Sequence, residues 1–196
     1  MNRNVQMAIA ALAISASSTA HAGGIGLLYS GGLHQERAYY YSQSGEQGVD
    51  NQFRPNYGPG FETLVGDKDE KIQGVLRMNL MNDLPPEEPD TQGAQNTTAP
   101  PAHEQDVRKV GSLGLGIQWG LLGDPSGFQM VAMSVVGSGF ITTDNTEFMF
   151  LEAGLGGTYN LTDTIQAHAS VAGTVRVRKH WSYGPSAYAG FRYMFD

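Results

Sequence analysis

Apolar and polar residues alternate with period two over most of the chain after residue 22, and the alternation predicts β-strands. Ile25, Leu27, Tyr29 and Leu33 share one face, opposite Gly24, Gly26, Ser30 and His34. Tyr57, Phe61, Thr63 and Val65 lie opposite Gly58, Gly60 and Glu62. Ile72, Leu76, Met78 and Leu80 lie opposite Lys71, Gln73, Arg77 and Asn79. Leu113 through Leu121 alternates with Ser112, Gly114, Gly116, Gln118 and Gly120. Met149, Leu151, Leu155 and Tyr159 lie opposite Glu152, Gly154, Gly156 and Asn160. Ile165 through Val177 places Gln166, His168, Ser170, Thr174 and Arg176 on its polar face. Ala187, Ala189, Phe191, Tyr193 and Phe195 alternate with Ser186, Tyr188, Gly190 and Arg192. The stretch 128–136 is apolar on both faces, so the pattern assigns it no orientation. With it the strands number eight.

The connections alternate in length. Gly66–Asp69, Gly123–Ser126 and Asn160–Asp163 have the composition of tight turns. Between them come longer connections, at roughly 34–56, 82–109, 139–146 and 178–183. Pro55 and Pro59 disturb the second strand, and Arg37 to Ser42 could instead lengthen the first. Short turns alternating with long loops are the pattern of an antiparallel barrel that crosses a membrane, with the turns on the periplasmic side. An even number of strands puts both termini on that side as well.

The composition of the two faces separates this chain from a soluble barrel. A soluble barrel turns its larger apolar face inward. Here the second face is Gly, Ser, Thr, Gln, Arg and Glu, a set that fills a narrow polar lumen and leaves the apolar face for lipid. Tyr29, Tyr57, Trp119, Tyr159, Tyr183, Tyr193 and Phe195 fall near strand ends, where interfacial aromatic girdles are placed. The predicted fold is all-β: an eight-stranded antiparallel up-and-down transmembrane β-barrel over residues 23–196.

Both ends of the chain agree with export. Asn2-Arg3-Asn4, an apolar run from Val5 to Ile14 and the small-residue sequence Ala20-His21-Ala22 form the layout of a cleaved signal peptide over residues 1–22. The run is too short to span a bilayer as a helix. At the other end, Tyr188, Gly190, Tyr193 and Phe195 resemble the C-terminal assembly signal of bacterial outer-membrane barrels, although Phe195 is followed by Asp196. The chain as a whole resembles the small porin-like outer-membrane barrels of the OmpA/OmpX type. That resemblance implies a bacterial outer-membrane location with periplasmic termini. It also implies contact with lipid and lipopolysaccharide, and passage through the outer-membrane assembly machinery.

Charge and composition narrow the chemistry. Removing residues 1–22 leaves 11 Lys and Arg against 19 Asp and Glu, with no basic stripe, so nucleic acid is not an expected partner. The chain has no Cys, which excludes disulfides, thiol chemistry and thiolate metal sites. His21, His34, His103, His168 and His180 show no ligand spacing, and neither a metal nor another cofactor is expected. Residues 82–109 collect five prolines and many acidic residues with almost no large apolar one. They read as a flexible extracellular loop, one through which an extracellular partner could be contacted.

Two arrangements bear on catalysis. His168 and Ser170 share a face, the minimum for a base and an activated hydroxyl. The His-x-Ser spacing resembles the motif of outer-membrane lipid A deacylases. This chain has Val171 where that family has Asn, and no Asp or Glu between Trp181 and Phe195 to serve as the acidic partner. His34, with Ser30, stands near the outer end of strand one, where lipid A palmitoyltransferases carry a catalytic His; as a loop residue it would simply be solvated. Glu152, Arg77, Arg176 and Arg192 project to the polar face, and a charge in a narrow lumen must be paired, so Glu152 is expected to accept from Arg176 or Arg77. The expected function is a role in surface interaction or envelope integrity, without catalysis. The alternatives are an outer-leaflet lipid A acyl-modifying enzyme, or a narrow pore or uptake route for small hydrophobic molecules.

Overall fold

A computed structural model describes residues 23–41, 47–67, 70–85, 107–142, 146–177 and 181–195. The predicted signal peptide and most of the acidic Pro-rich loop, with His21, His103 and His180, lie outside the described residues. The chain forms eight strands: β1 Gly23–Tyr41, β2 Gln47–Val65, β3 Ile72–Asp83, β4 Arg108–Gly123, β5 Phe128–Ile141, β6 Thr146–Asn160, β7 Ile165–Val177 and β8 Trp181–Phe195. Each pairs antiparallel with the next, and β8 pairs with β1 to close the barrel. Stepping from paired residue to paired residue once around, from Ile25, returns to β1 at Gln35, a stagger of ten residues. For eight strands a stagger of that size tilts them about 40° from the barrel axis.

The alternation is preserved in burial. Leu27, Leu115, Met149, Val171 and Phe191 stand on the exposed outer wall, while Glu62, Arg77, Gln118, Glu152 and Arg192 are buried inside. Tyr193 and Tyr183 are ten residues apart on β8. At about 3.3 Å per residue and this tilt, they lie about 25 Å apart along the axis, the height of the apolar band of an outer-membrane barrel. Trp119, Phe128 and Tyr159 join Tyr193 towards the turn end, and Phe53 and Trp181 join Tyr183 towards the other. Tyr29 is an exception to the expected girdle. It pairs with Ala189, between Tyr183 and Tyr193, and so stands in the middle of the wall.

Several connections are shorter than the composition suggests. The region 34–56 is mostly strand: β1 runs to Tyr41, β2 begins at Gln47, and the ladder continues to the Tyr41–Gln47 pair. Pro55 and Pro59 are accommodated because their missing donors fall where ladders stop. The β2–β3 pairing ends at Asn56–Asp83, one residue short of Pro55, and skips Gly58 and Pro59. Ile141 and Thr146 bound the third long connection, and Val177 and Trp181 the fourth. Asn82 and Asp83 belong to β3, and Arg108 and Lys109 to β4.

The turns are as compact as their composition requires. Gly66 and Gly123 take φ of 119° and 102°, a conformation that side chains disfavour. Asp124 accepts from the backbone N and Oγ of Ser126 at 2.9 and 2.7 Å, which holds its carboxyl below the usual range. Asn160 Nδ2 donates to the Pro125 carbonyl at 2.7 Å, tying two neighbouring turns together.

The interior is not uniformly polar. The strand that alternation left unoriented turns Val131, Met133 and Val135 inward and Phe128, Met130 and Val136 outward. Leu64, Val75, Met81, Val110, Ile141, Phe148, Phe150 and Met194 are buried with them. Glycine makes room for the two rings: a Cβ on Gly114 would come within 2.8 Å of Phe150 Cζ, and one on Gly139 within 2.3 Å of Phe148 Cζ. The lumen is thus part apolar core and part polar rod.

Candidate functional site: a hydrogen-bonded rod in the lumen

The polar rod follows from the stagger, which brings inward side chains from strands distant in sequence to the same height. Glu62, on β2, is its centre. Arg77 donates to Glu62 Oε2 through Nε at 2.8 Å and through Nη2. Arg192, from β8, donates to Glu62 Oε1 through Nε at 2.9 Å and through Nη2. Arg77 Nη1 reaches on to Glu152 Oε1 at 2.6 Å. Glu152 Oε2 accepts from the Tyr188 hydroxyl, and from Thr174 Oγ1 at 3.3 Å. The Arg77 guanidinium also lies over the Tyr188 ring, 4.4 Å from its centroid. Four charges of alternating sign therefore stand in line: Arg192, Glu62, Arg77, Glu152.

Towards the turns the rod continues through amides. Arg192 donates to Gln166 Oε1 at 3.1 Å and Gln118 Oε1 at 2.9 Å. Gln118 Nε2 donates to Gln73, and Gln73 Nε2 to the Asp67 carbonyl. In the other direction, Arg176 does not meet Glu152. It pairs with Asp83 at 3.0 Å and stacks against the Phe148 ring. Asp83 was hidden from sequence reasoning inside the presumed loop. Glu62 falls on the polar face of its strand, and sharing that inward face with Arg77 and Arg192 is the sequence signal that marks it as a partner for them.

Buried ion pairs of this kind add little net stability over a well-packed apolar filling, because desolvation offsets attraction. Their consequence is geometric. Glu62 and Glu152 are each held by donors from two or more strands, so the filling is specific and occupies the lumen at the height of the rod.

The two catalytic candidates take part in different ways. His168 and Ser170 share the lumen side of β7, both buried. Arg192 Nη2 lies 3.1 Å from His168 Nδ1, and a guanidinium can only donate, so Nδ1 is the accepting nitrogen and Nε2 carries the proton. That tautomer offers Ser170 no base, and no carboxylate orients the ring from its other side among the described residues. His34 is not a solvated loop residue: it lies within β1, faces the lumen and is buried. Tyr188, read as part of a C-terminal signal, is the inward residue that closes the rod on Glu152. Gly190 packs beside Leu28, and Tyr193 and Phe195 lie on the outer face with Phe191.

No family profile matches the sequence, and no curated protein matches it. Among solved structures, the crystal structure of neisserial surface protein A (NspA) matches at a TM-score of 0.51 and 12% sequence identity, over 87% of this chain and 96% of that one. A chain from the de novo design of transmembrane β-barrels matches at a TM-score of 0.38 and 9% identity, over 88% of this chain and 94% of that one. At such low identity a likeness concerns the fold alone. This chain is a closed eight-stranded antiparallel barrel with the fold of neisserial surface protein A, apolar outside and ion-paired within.

Proposed function

We propose that the chain is an integral protein of the bacterial outer membrane whose role is surface interaction or envelope integrity, not catalysis. The observation that carries this reading is the division of the wall. An exposed apolar band bounded by aromatic residues suits lipid, while the lumen is filled by bonded side chains instead of a substrate cavity. Residues 1–22 act as the export signal, and Tyr188, Gly190, Tyr193 and Phe195 address the assembly machinery. The termini are periplasmic, and the longer connections, including 82–109, face outward to lipopolysaccharide and to extracellular partners.

Mass spectrometry of lipid A from cells with and without the protein tests the non-catalytic reading. No change in acyl chains is expected. A change that disappears in His34→Ala or His168→Ala would establish an acyl-modifying enzyme instead. Planar-bilayer recording addresses the pore alternative, where the parent chain is expected to show no steady conductance.

A further inference from the structure

The apolar band on the outer wall is not level. Register and tilt together fix how high each residue stands along the barrel axis. At a tilt of about 40°, one residue along a strand rises about 2.5 Å, and each step to the paired residue of the next strand in chain order rises about 3 Å. Measured this way from Tyr193 on β8, Ile25 on β1 stands about 3 Å towards the loop end, and Phe128 on β5, across the barrel from β1, about 5 Å the other way.

At the turn end the low side has a local cause. The β4–β5 register shifts between Gly120 and Leu122. Leu121 continues the outward alternation of Ile117 and Trp119, while Leu122 pairs with the outward Met130, so the bulge sets two consecutive leucines on the outer wall. Phe128 pairs with Tyr159 beside them, both exposed. Leu161 continues the β6–β7 ladder through its N–H to the Ile165 carbonyl at 2.8 Å, and both residues are exposed. Leu121, Leu122, Phe128, Leu161 and Ile165 form an apolar skirt about 3–7 Å below Tyr193. Near β2 and β3 that level is charged instead, by the exposed Asp67, Glu70 and Lys71.

The loop end is displaced in the matching sense. Phe53 on β2 and Trp181 on β8, on the two strands that flank β1, are exposed aromatics about 30 Å above Tyr193. On β4 and β6 the exposed charges Lys109 and Glu147 already stand at about 28 Å. The middle of the band is thus about 5 Å nearer the loops on β8, β1 and β2 than on β4, β5 and β6, across an outer diameter of about 25 Å, a slope of about 10–15°. Apolar side chains are unfavourable in water and charges are unfavourable in hydrocarbon, so the bilayer follows the band and not the barrel axis.

We propose that the barrel sits tilted by about 10–15° in the bilayer, its loop end leaning towards β1 and its skirt embedded in the lipid leaflet at the turn end. The tilt rests on the transmembrane reading given above. The occupant of the skirt is lipid because Trp119, Met130 and Leu155 join it without a break to the lipid-facing wall. The opposite edge, at Phe53 and Trp181, shifts with it, which a protein bound at the turns would not require. The lean carries the β1–β2 hairpin, whose ladder continues past Gln35 to the Tyr41–Gln47 pair, towards the surface of its own membrane.

Single-tryptophan variants in phosphatidylcholine vesicles test the tilt, with depth read from quenching by lipids brominated at shallow, middle and deep acyl carbons. Trp119→Phe with Trp181→Phe removes both native tryptophans. Into that background go Ile25→Trp on β1, Phe128→Trp on β5, Leu122→Trp as a second probe of the skirt, and Val171→Trp on the middle of the wall. Depth is measured from the bilayer centre, so the direction of insertion does not matter, and only variants that keep the folded band on unboiled gels are compared. The tilt places Phe128→Trp within about 3 Å of the depth of Ile25→Trp, whereas an upright barrel separates them by about 8 Å. A separation of about 5 Å or more, with Phe128→Trp and Leu122→Trp nearer water, overturns the tilt and leaves the skirt for a protein partner. Val171→Trp keeps the two readings apart: strong quenching by the deep bromines upholds the lipid-facing wall whatever the tilt. If no bromine quenches it, the transmembrane reading and the tilt fall together.

Discussion

Glu62→Gln is the most informative single change in the rod. The Glu62 carboxylate receives four N–H groups, two from Arg77 and two from Arg192, and is 1% exposed. Glutamine keeps one accepting oxygen and turns an NH2 group towards one of the two guanidiniums. Arg77 retains Glu152 at 2.6 Å. Arg192 retains only neutral partners, Gln118, Gln166 and His168, so it is left with an uncompensated buried charge. Removing one member of a buried pair costs about 3–5 kcal/mol. Glu62→Gln is therefore expected to lower the unfolding free energy by about that amount. Urea titration of the refolded protein in lipid vesicles measures it, with Trp119 and Trp181 on the outer wall as fluorescent reporters. Adding Arg192→Met to Glu62→Gln removes the stranded charge, so the double variant should be more stable than the sum of the singles predicts, by about 0.5–3 kcal/mol. A Glu62→Gln loss below about 1 kcal/mol, or strict additivity with Arg192→Met, would refute the rod as drawn.

Other parts of the structure give further tests. Val171→Arg places a cation on the exposed outer wall between the two aromatic levels; it should cost about 2–4 kcal/mol in a bilayer by the same titration, whereas on a water-facing wall it would cost almost nothing. Tyr188→Phe removes the hydroxyl that donates to Glu152 and should cost about 1.5–3 kcal/mol, as expected for a bond to a charged acceptor. Glu152→Gln leaves the Arg77–Glu62–Arg192 cluster and the Asp83–Arg176 pair in place, so planar-bilayer recordings should stay without steady conductance; sustained openings would mean that Glu152 gates a path.

The fold was legible because a barrel wall with lipid outside and a filled lumen inside imposes alternation on each strand, and Leu113–Leu121 or Ile165–Val177 display it without interruption. Legibility failed where the alternation carries no contrast. Phe128–Val136 is apolar on both faces because its inward residues help build the apolar part of the lumen. The first two strands were read short because Pro55 and Pro59 suggest a break, yet a proline on a strand costs little where the ladder is already interrupted. The rod was legible as a set of inward charges but not as a set of partners. Which arginine meets which carboxylate depends on a ten-residue stagger around eight strands, and this brings Arg176 to Asp83 while Glu152 receives Arg77. Period-two patterning fixes the side of the wall on which a residue lies, not its height along the axis.

Electrophoretic mobility before and after boiling tests the closed membrane barrel most directly. Residues 23–196, refolded in detergent, should show β-type circular dichroism and migrate on a cold SDS gel at a position that shifts on boiling. A chain that stays folded and soluble without detergent, and migrates identically with and without boiling, would contradict a lipid-facing wall and turn the apolar surface into one that some other partner must cover.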